Sequence, residues 1–280
     1  MPSHRRPSVA LSQNFIRNPD LVRELVQEMC LAPGDLVYEV GPGRGILTRE
    51  LARRGCRVVA VERDVALATR LALDLACCPN ATVHLADFLA FPLPAWPYKV
   101  AANPPFRIGS ALLSRLFVDS LGPEEAHLVL QRELAQRVLG RTLFGLMIQP
   151  WFEPTITHRF RRSDFAPEPG VDVVMLRLRK RGPPLVTESD AQLFRDFLAY
   201  TFTHAHPTVA SALRPVIDDL GPLGRRTCTQ LALGDWLDIF PHVMGLAAEA
   251  RATFKGAEAR LRVQQTRLDK QHRTTLAVWT

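Results

Sequence analysis

Leu36-Val37-Tyr38-Glu39-Val40-Gly41-Pro42-Gly43-Arg44-Gly45 joins a β-type apolar run to three alternating glycines, and a helical pattern begins immediately after it at Ile46. Glycines in a strand-to-helix turn let the backbone bend sharply and approach a ligand closely, where a side chain would collide. Working outward, the same alternation recurs. Arg57–Val61, Thr82–Ala86, Tyr98–Ala102 and His127–Leu130 read as further buried strands. Between them Leu47–Arg54, Val65–Ala76 and Gly109–Ser120 carry apolar residues at helical spacing. Strand–helix alternation implies a parallel sheet covered on both faces, with ligands at the carboxyl ends of its strands.

Two details decide what the glycine loop holds. A dinucleotide-binding GxGxxG loop needs a third small residue at position 46, and the chain has Ile46. An acidic residue, Glu39, also stands two positions before the first glycine, and E-x-G-x-G-x-G is the S-adenosylmethionine (SAM) version of the loop. The next strand ends at Glu62, where a carboxylate accepts the ribose hydroxyls of an adenosine moiety. The third ends in Asp87-Phe88, an acceptor for adenine amino hydrogens beside a flat apolar wall.

The fourth strand runs into Asn103-Pro104-Pro105-Phe106. An [ND]-P-P-[YFW] tetrad marks enzymes that methylate amino nitrogens conjugated to a planar ring. The lone pair of such a nitrogen is delocalised and weakly nucleophilic. Two acceptors for its hydrogens, the Asn103 side-chain oxygen and the Pro104 carbonyl, favour a pyramidal nitrogen aimed at the methyl group. Proline fixes φ and holds that carbonyl rigidly, while Phe106 stacks on the base and stabilises developing positive charge. The substitution step needs no strong base, because the cationic product amine loses its proton to water. Positioning and electrostatics carry the catalysis.

Past Phe144 the pattern changes. Thr155–Arg161 and Val171–Arg179 alternate as a closing antiparallel pair, and Arg181-Gly182-Pro183-Pro184 reads as a linker. Ser189–Thr203, Thr208–Leu220, Arg225–Leu233 and Gly234–Met244 follow as helices. The expected organisation is an arm at 1–17 closing over the cofactor, a catalytic domain at 18–182, a helical RNA-binding domain at 183–247, and a basic, flexible tail at 248–280. The predicted fold is α/β, a Rossmann-like class I SAM-dependent methyltransferase with a mostly parallel seven-stranded sheet plus a small all-helical C-terminal domain.

Composition narrows the partners. The 280 residues are 47% hydrophobic, enough for a core. No apolar run approaches the roughly 18 residues of a membrane span, and no signal-peptide core follows Arg5-Arg6, so a cytoplasmic protein without a membrane partner is expected. The five cysteines make no CxxC pair and no ligand set, so no metal site is expected. Of 35 basic side chains only four are Lys, leaving 31 Arg, and the net charge of +7 favours a polyanionic partner. Arg132, Arg137, Arg141, Arg159, Arg161 and Arg162 are candidates for phosphate contacts. Structural or surface roles are expected for His127, His158 and His204, and core or turn positions for Trp96, Trp151 and Trp236.

With these motifs the chain resembles the rRNA adenine N6-methyltransferases, which comprise the erythromycin-resistance (Erm) enzymes and the small-subunit rRNA dimethyladenosine transferases. The resemblance runs from about Leu11 to Met244. It includes Ser12-Gln13-Asn14-Phe15-Ile16, similar to the family's Q-N-F-[LI] arm, and Phe165-Ala166-Pro167-Glu168-Pro169-Gly170-Val171, similar to its F-x-P-x-P-x-V segment. It implies that Asn14, Ile16, Gly41, Gly43, Glu62, Asp87 and Asn103 contact SAM, and that Phe106 and Phe165 sandwich the target adenine beside Pro104. Ser12, the run Val171-Asp172-Val173-Val174-Met175-Leu176-Arg177, and Trp236-Leu237-Asp238-Ile239-Phe240 are Erm-like. The branch so implied acts as a monomer on one adenine of 23S rRNA before ribosome assembly is complete, obstructing macrolide, lincosamide and streptogramin B drugs. The other branch modifies 16S rRNA. A SAM fold retained for nucleic-acid binding without catalysis is the remaining alternative. Pro104 and Phe106 depart from the commoner N-[IL]-P-[YF] form and leave one or two methyl transfers open.

Overall fold

The structure, a computed structural model, describes residues 14–118, 122–205, 207–217 and 219–267. Ser12, Gln13 and most of the expected arm lie outside these residues, as do the end of the helix expected to reach Ser120 and the tail beyond 267.

The chain begins with β1 (Phe15–Ile16) and α1 (Pro19–Glu28). Asn18 starts α1 by accepting the Asp20 amide, and Pro19 at the first helical position needs no donor. Then come β2 (Leu36–Val40), α2 (Ile46–Arg53), β3 (Arg57–Glu62), α3 (Val65–Asp74), β4 (Ala81–Leu85), β5 (Lys99–Ala102), α4 (Gly109–Phe117) and β6 (Glu125–Gln131). The chain continues with α5 (Arg132–Leu139), α6 (Leu143–Leu146), β7 (Phe152–Arg159), β8 (Phe165–Ala166) and β9 (Val173–Lys180). Seven strands form one sheet in the order β4-β3-β2-β5-β6-β9-β7. β4, β3, β2, β5 and β6 run parallel, and β9 lies antiparallel to β6.

This order sets the site. From β2 the chain goes to one side, to β3 and β4; β5 then returns on the other side of β2. Val40 pairs with Ala102, so the residues that follow them, Gly41 and Asn103, leave the sheet side by side. Ligand sites in open α/β sheets form at such a switch point. The strand predicted to begin at His127 begins at Glu125 instead. Glu125 is charged, but it is held by the Arg177 guanidinium at 2.8 Å and by His127 Nε2 at 2.7 Å, which makes it compatible with the sheet. His127 therefore has a structural partner.

Two compact units divide the chain. The first comprises the described residues through Ala135 with Pro154–Lys180; the second comprises Gln136–Glu153 and the residues from Arg181. The sequence placed 136–153 with the catalytic domain. The segment joins the second unit because Trp151 packs edge-on against Phe194, with ring centroids 6.2 Å apart, and Arg181 donates to the Gln149 carbonyl and to Glu153.

The second unit adds α7 (Ala191–His204), α8 (Val209–Leu213), α9 (Gly221–Gly224), α10 (Leu233–Met244), α11 (Ala248–Arg251) and α12 (Ala257–Arg267). Phe194, Phe197, Trp236, Phe240 and Phe254 form its buried aromatic core. The sequence suggested a flexible tail from 248, whereas α11 and α12 are ordered through 267. Buried Asp196 of α7 accepts the Gly256 and Glu258 amides, and Phe254 is fully buried against Phe197. Among the described residues no helix is long and apolar enough to cross a membrane. Trp151 and Trp236 are buried, whereas Trp96 is exposed in the proline-rich loop before β5.

Candidate functional site

The glycine loop joins β2 to α2. Gly45 occupies the N-cap of α2 at φ +72°, a left-handed conformation that L side chains resist, and a Cβ there would lie 2.1 Å from the Leu71 side chain. At Gly43, φ is +56° and an added Cβ would meet the Phe15 ring at 2.5 Å. The aromatic ring of the arm thus rests on the loop, and the Arg44 guanidinium lies 5.0 Å from that ring's centroid.

Glu62, at the end of β3, is almost fully buried. Its Oε2 accepts the Gly43 amide at 3.0 Å, and its Oε1 accepts the Arg63 and Asp64 amides at 2.8 and 2.9 Å. Three donors fix the carboxylate in one orientation; both acceptor positions of Oε1 are taken, and Oε2 keeps one for a ribose hydroxyl. Asp87 follows β4. Its Oδ1 accepts the Leu89 amide, and its Oδ2 lies 3.4 Å from Arg63 Nη1. Glu62, Asp87, Phe88, Pro105 and Arg107 line a narrow slot beside the loop. Arg63 takes at most one acceptor position of Oδ2, and the other is open to an adenine amino group.

The tetrad lies on the other side of the loop. A Cβ on Gly41 would stand 3.7 Å from Pro105 Cδ, so loop and tetrad are in van der Waals reach. Asn103 Nδ2 donates to the Asn14 carbonyl at 2.9 Å, and Asn14 Nδ2 donates to the Pro167 carbonyl at 2.7 Å. Phe15 and Ile16 pair antiparallel with Ala166 and Phe165, and the Arg17 amide reaches the Asp164 carbonyl. The arm is therefore knit to the Phe165–Pro167 segment by main-chain pairing and the Asn14 side chain, and to the tetrad by the Asn103 side chain. Because the Asn103 NH2 group is committed to Asn14, its acceptor oxygen is the end left for a ligand.

Phe106 starts a 3-10 turn, partly buried against the core cluster that includes Phe165. Phe165 is fully buried, with the Phe160 ring 5.2 Å away. A base reaches Phe165 only if side chains that bury it, Phe160 among them, move aside. Phe160, Phe15 and Arg63 are not singled out by sequence: Phe15 sits inside the Ser12–Ile16 motif, and only the fold brings Phe160 and Arg63 to the site.

A cavity of about 660 Å³ extends from Asn103 and Gly41 past Phe15 and between α1 and α2. Glu39 lines it, 2% exposed, and neither its Oε2 nor the neighbouring Thr48 hydroxyl has a hydrogen-bond partner. Burial pushes the Glu39 carboxyl up to about 8, and nearby Thr48 and Arg49 offset this only in part. Raised from 4.5, the group stabilises the fold fully below about pH 4.5 and loses that contribution as pH rises through 8. Glu39→Gln should remove this dependence. Thermal unfolding at pH 5.5 and 8.5 should show the variant gaining on the native chain by on the order of a few kcal/mol at the higher pH. Parallel pH profiles would exclude the assignment.

These residues fit SAM. The loop leaves room for close approach, the fixed buried Glu62 carboxylate beside it suits a ribose hydroxyl, and the Asn103 amide oxygen suits the methyl-bearing end.

Residues 6–228 match the family described as ribosomal RNA adenine dimethylase. An rRNA adenine N-6-methyltransferase of Aeromicrobium erythreum is 38% identical over 187 residues, covering 65% of this chain and 54% of that relative, about half its length. The ribosomal RNA small subunit methyltransferase A of Moorella thermoacetica is 31% identical over 228 residues, covering 74% of this chain and 78% of the relative. Among solved structures, the 23S rRNA methyltransferase ErmE aligns with a TM-score of 0.71 at 29% identity, over 82% of this chain and 99% of that one. With its seven-stranded sheet, glycine loop and Asn-Pro-Pro-Phe tetrad, the chain belongs to the ribosomal RNA adenine dimethylase family of SAM-dependent methyltransferases.

Proposed function

We propose that the chain transfers methyl groups from SAM to N6 of one adenine in 23S rRNA and so confers macrolide, lincosamide and streptogramin B resistance. The observation that carries the adenine chemistry is the Asn103 amide, which lines the cavity with Gly41 and whose Nδ2 is bonded to the Asn14 carbonyl, leaving the oxygen as an acceptor. Bound SAM supplies the methyl group as an electrophile on a sulfonium. Asn103 Oδ1 and the Pro104 carbonyl accept the two N6 hydrogens and turn the lone pair outward. Phe106 holds one face of the base; Phe165 holds the other once the side chains that bury it, Phe160 among them, have moved. Glu62 and Asp87 orient the adenosine of the cofactor, and Asn14 and Ile16 close the arm over it. Water takes the product proton. The helical unit contributes RNA contacts.

The 23S target is favoured by the likeness to the 23S rRNA methyltransferase ErmE and by the Val171–Arg177 run. Similarity to small-subunit methyltransferases supports 16S rRNA as the second reading. Incubating the protein with labelled SAM and protein-free 23S or 16S transcripts separates them. Label in 23S, mapped by mass to one adenine with its methyl count, is expected. Label confined to 16S would overturn the assignment.

A further inference from the structure

The cavity beside Asn103 continues as a trough between two helix faces. On α2, Ile46, Arg49 with Glu50, and Arg53 stand at helical spacing along one side. Pro19 and Arg23, four apart on α1, form the other. From Ile46 to Arg53 the wall runs about 10 Å. At about 3.4 Å per nucleotide that accommodates roughly two or three phosphates of a strand.

Five of the sixteen lining residues are arginine: Arg17, Arg23, Arg44, Arg49 and Arg53. Arginine makes up 31 of the chain's 280 residues, so the trough holds nearly three times the share that composition supplies. Its acids are two, Glu39 and Glu50. Arg53 pairs with Glu50 at 3.1 Å, and Arg23 pairs with exposed Asp20 at 2.8 Å. Arg49 lies 3.7 Å from Asp74 and donates its second nitrogen to the Arg44 carbonyl. Among the described residues no carboxylate stands within ion-pair distance of Arg17 or Arg44, and Phe15 holds the Arg44 guanidinium at the mouth. The Arg23–Asp20 pair is exposed on both sides, and such pairs contribute little and exchange readily for another anion; in the Arg53 pair the guanidinium is exposed while Glu50 is largely buried. The guanidinium fork matches phosphate oxygens in pairs. Residues 1–13 contain Arg5 and Arg6 and no acid, so the chain's own N-terminus offers no counter-charge.

We propose that this trough is a phosphate subsite for the RNA substrate, in which Arg17, Arg23, Arg44, Arg49 and Arg53 grip the backbone of the strand whose adenine enters at Asn103. The proposal rests on RNA being the substrate. The gripped phosphates belong to nucleotides adjacent to the target, because trough and transfer site share one cavity.

The test uses the full chain, a fluorescein-labelled RNA hairpin with one unpaired loop adenine, and S-adenosylhomocysteine as a separate probe of the cofactor site. The variants are Arg17→Ala with Arg53→Ala, their Glu counterparts, and Arg57→Ala as an exposed control on β3. The Ala pair should weaken hairpin binding about tenfold and lower the slope of log Kd against log salt by about 1.4, two single-strand contacts at about 0.7 each. The Glu pair should weaken it further. S-adenosylhomocysteine affinity should stay within about twofold, and Arg57→Ala should match the native chain in both assays. Unchanged hairpin affinity and slope in the folded Ala pair would overturn the proposal. A loss of S-adenosylhomocysteine affinity with RNA binding intact would reassign the trough to the cofactor. A native chain that neither binds the hairpin nor methylates rRNA would overturn the reading of RNA as substrate, and the subsite with it.

Discussion

Replacing Asn103 by Ala should lower the single-turnover rate of methyl transfer by about a hundred- to a thousandfold while RNA affinity changes little. Removing one preorganised polar group that acts mainly in the transition state costs about that much. The geometry explains why Asn103 is such a group. Its NH2 end is tied to the Asn14 carbonyl at 2.9 Å, so the amide cannot flip without losing that bond, and the oxygen is fixed in advance of reaction. Ala removes both the acceptor and the tether that links the tetrad to the arm. Asn103→Asp separates these roles. It keeps an acceptor oxygen, but turns a second oxygen toward the Asn14 carbonyl, where donation is lost and like partial charges repel. Asp should therefore fall between native and Ala. Both rates are read with labelled SAM at saturating enzyme. A tenfold or smaller loss in Ala would mean that Pro104 and stacking orient N6 without Asn103.

The alternation of strands and helices was legible because these buried strands are short apolar runs that lead into functional residues: Val40 to Gly41, Val61 to Glu62 and Ala102 to Asn103. The switch point was not, because the return of β5 to the other side of β2 is set by the strand order. Less legible were features made by partners distant in sequence. β1 and β8 are two residues each, too short for any period, yet their pairing fastens the arm to the Phe165–Pro167 segment. The docking of α12 depends on Asp196, 62 positions before the Glu258 amide it accepts. An acid inside a helix of apolar spacing reads as a solvated face until that partner is seen. α1 was missed although its start was written in Asn18-Pro19, a side-chain cap followed by a residue suited to the first turn. The site residues were legible by type and position, but their states were not. The ion pair at Asp87 and the ring covering Phe165 come from Arg63 and Phe160, and neither sits in a recognisable pattern.

Glu62 should show the largest effect on cofactor binding. The carboxylate accepts three main-chain amides from two turns, Gly43 on one side and Arg63 and Asp64 on the other, and thereby ties the glycine loop to the end of β3. A hydrogen bond to a charged group contributes about 1.5–3 kcal/mol, and an orphaned buried donor costs about 1–3 kcal/mol. Glu62→Gln keeps one acceptor oxygen but points an NH2 group at an amide donor, so SAM affinity should fall about thirty- to a hundredfold with folding largely retained. Glu62→Ala leaves all three amides without an acceptor and opens a void, so SAM binding should drop further and the melting temperature should fall as well. Comparing S-adenosylhomocysteine with its 2′-deoxy analogue isolates the ribose contact from the loop's integrity. In the native chain the missing hydroxyl should weaken binding about tenfold, and in Glu62→Ala the two ligands should bind alike. If the deoxy penalty persists in Glu62→Ala, the carboxylate braces the loop without touching the ribose, and the diol must find its acceptor elsewhere in the slot.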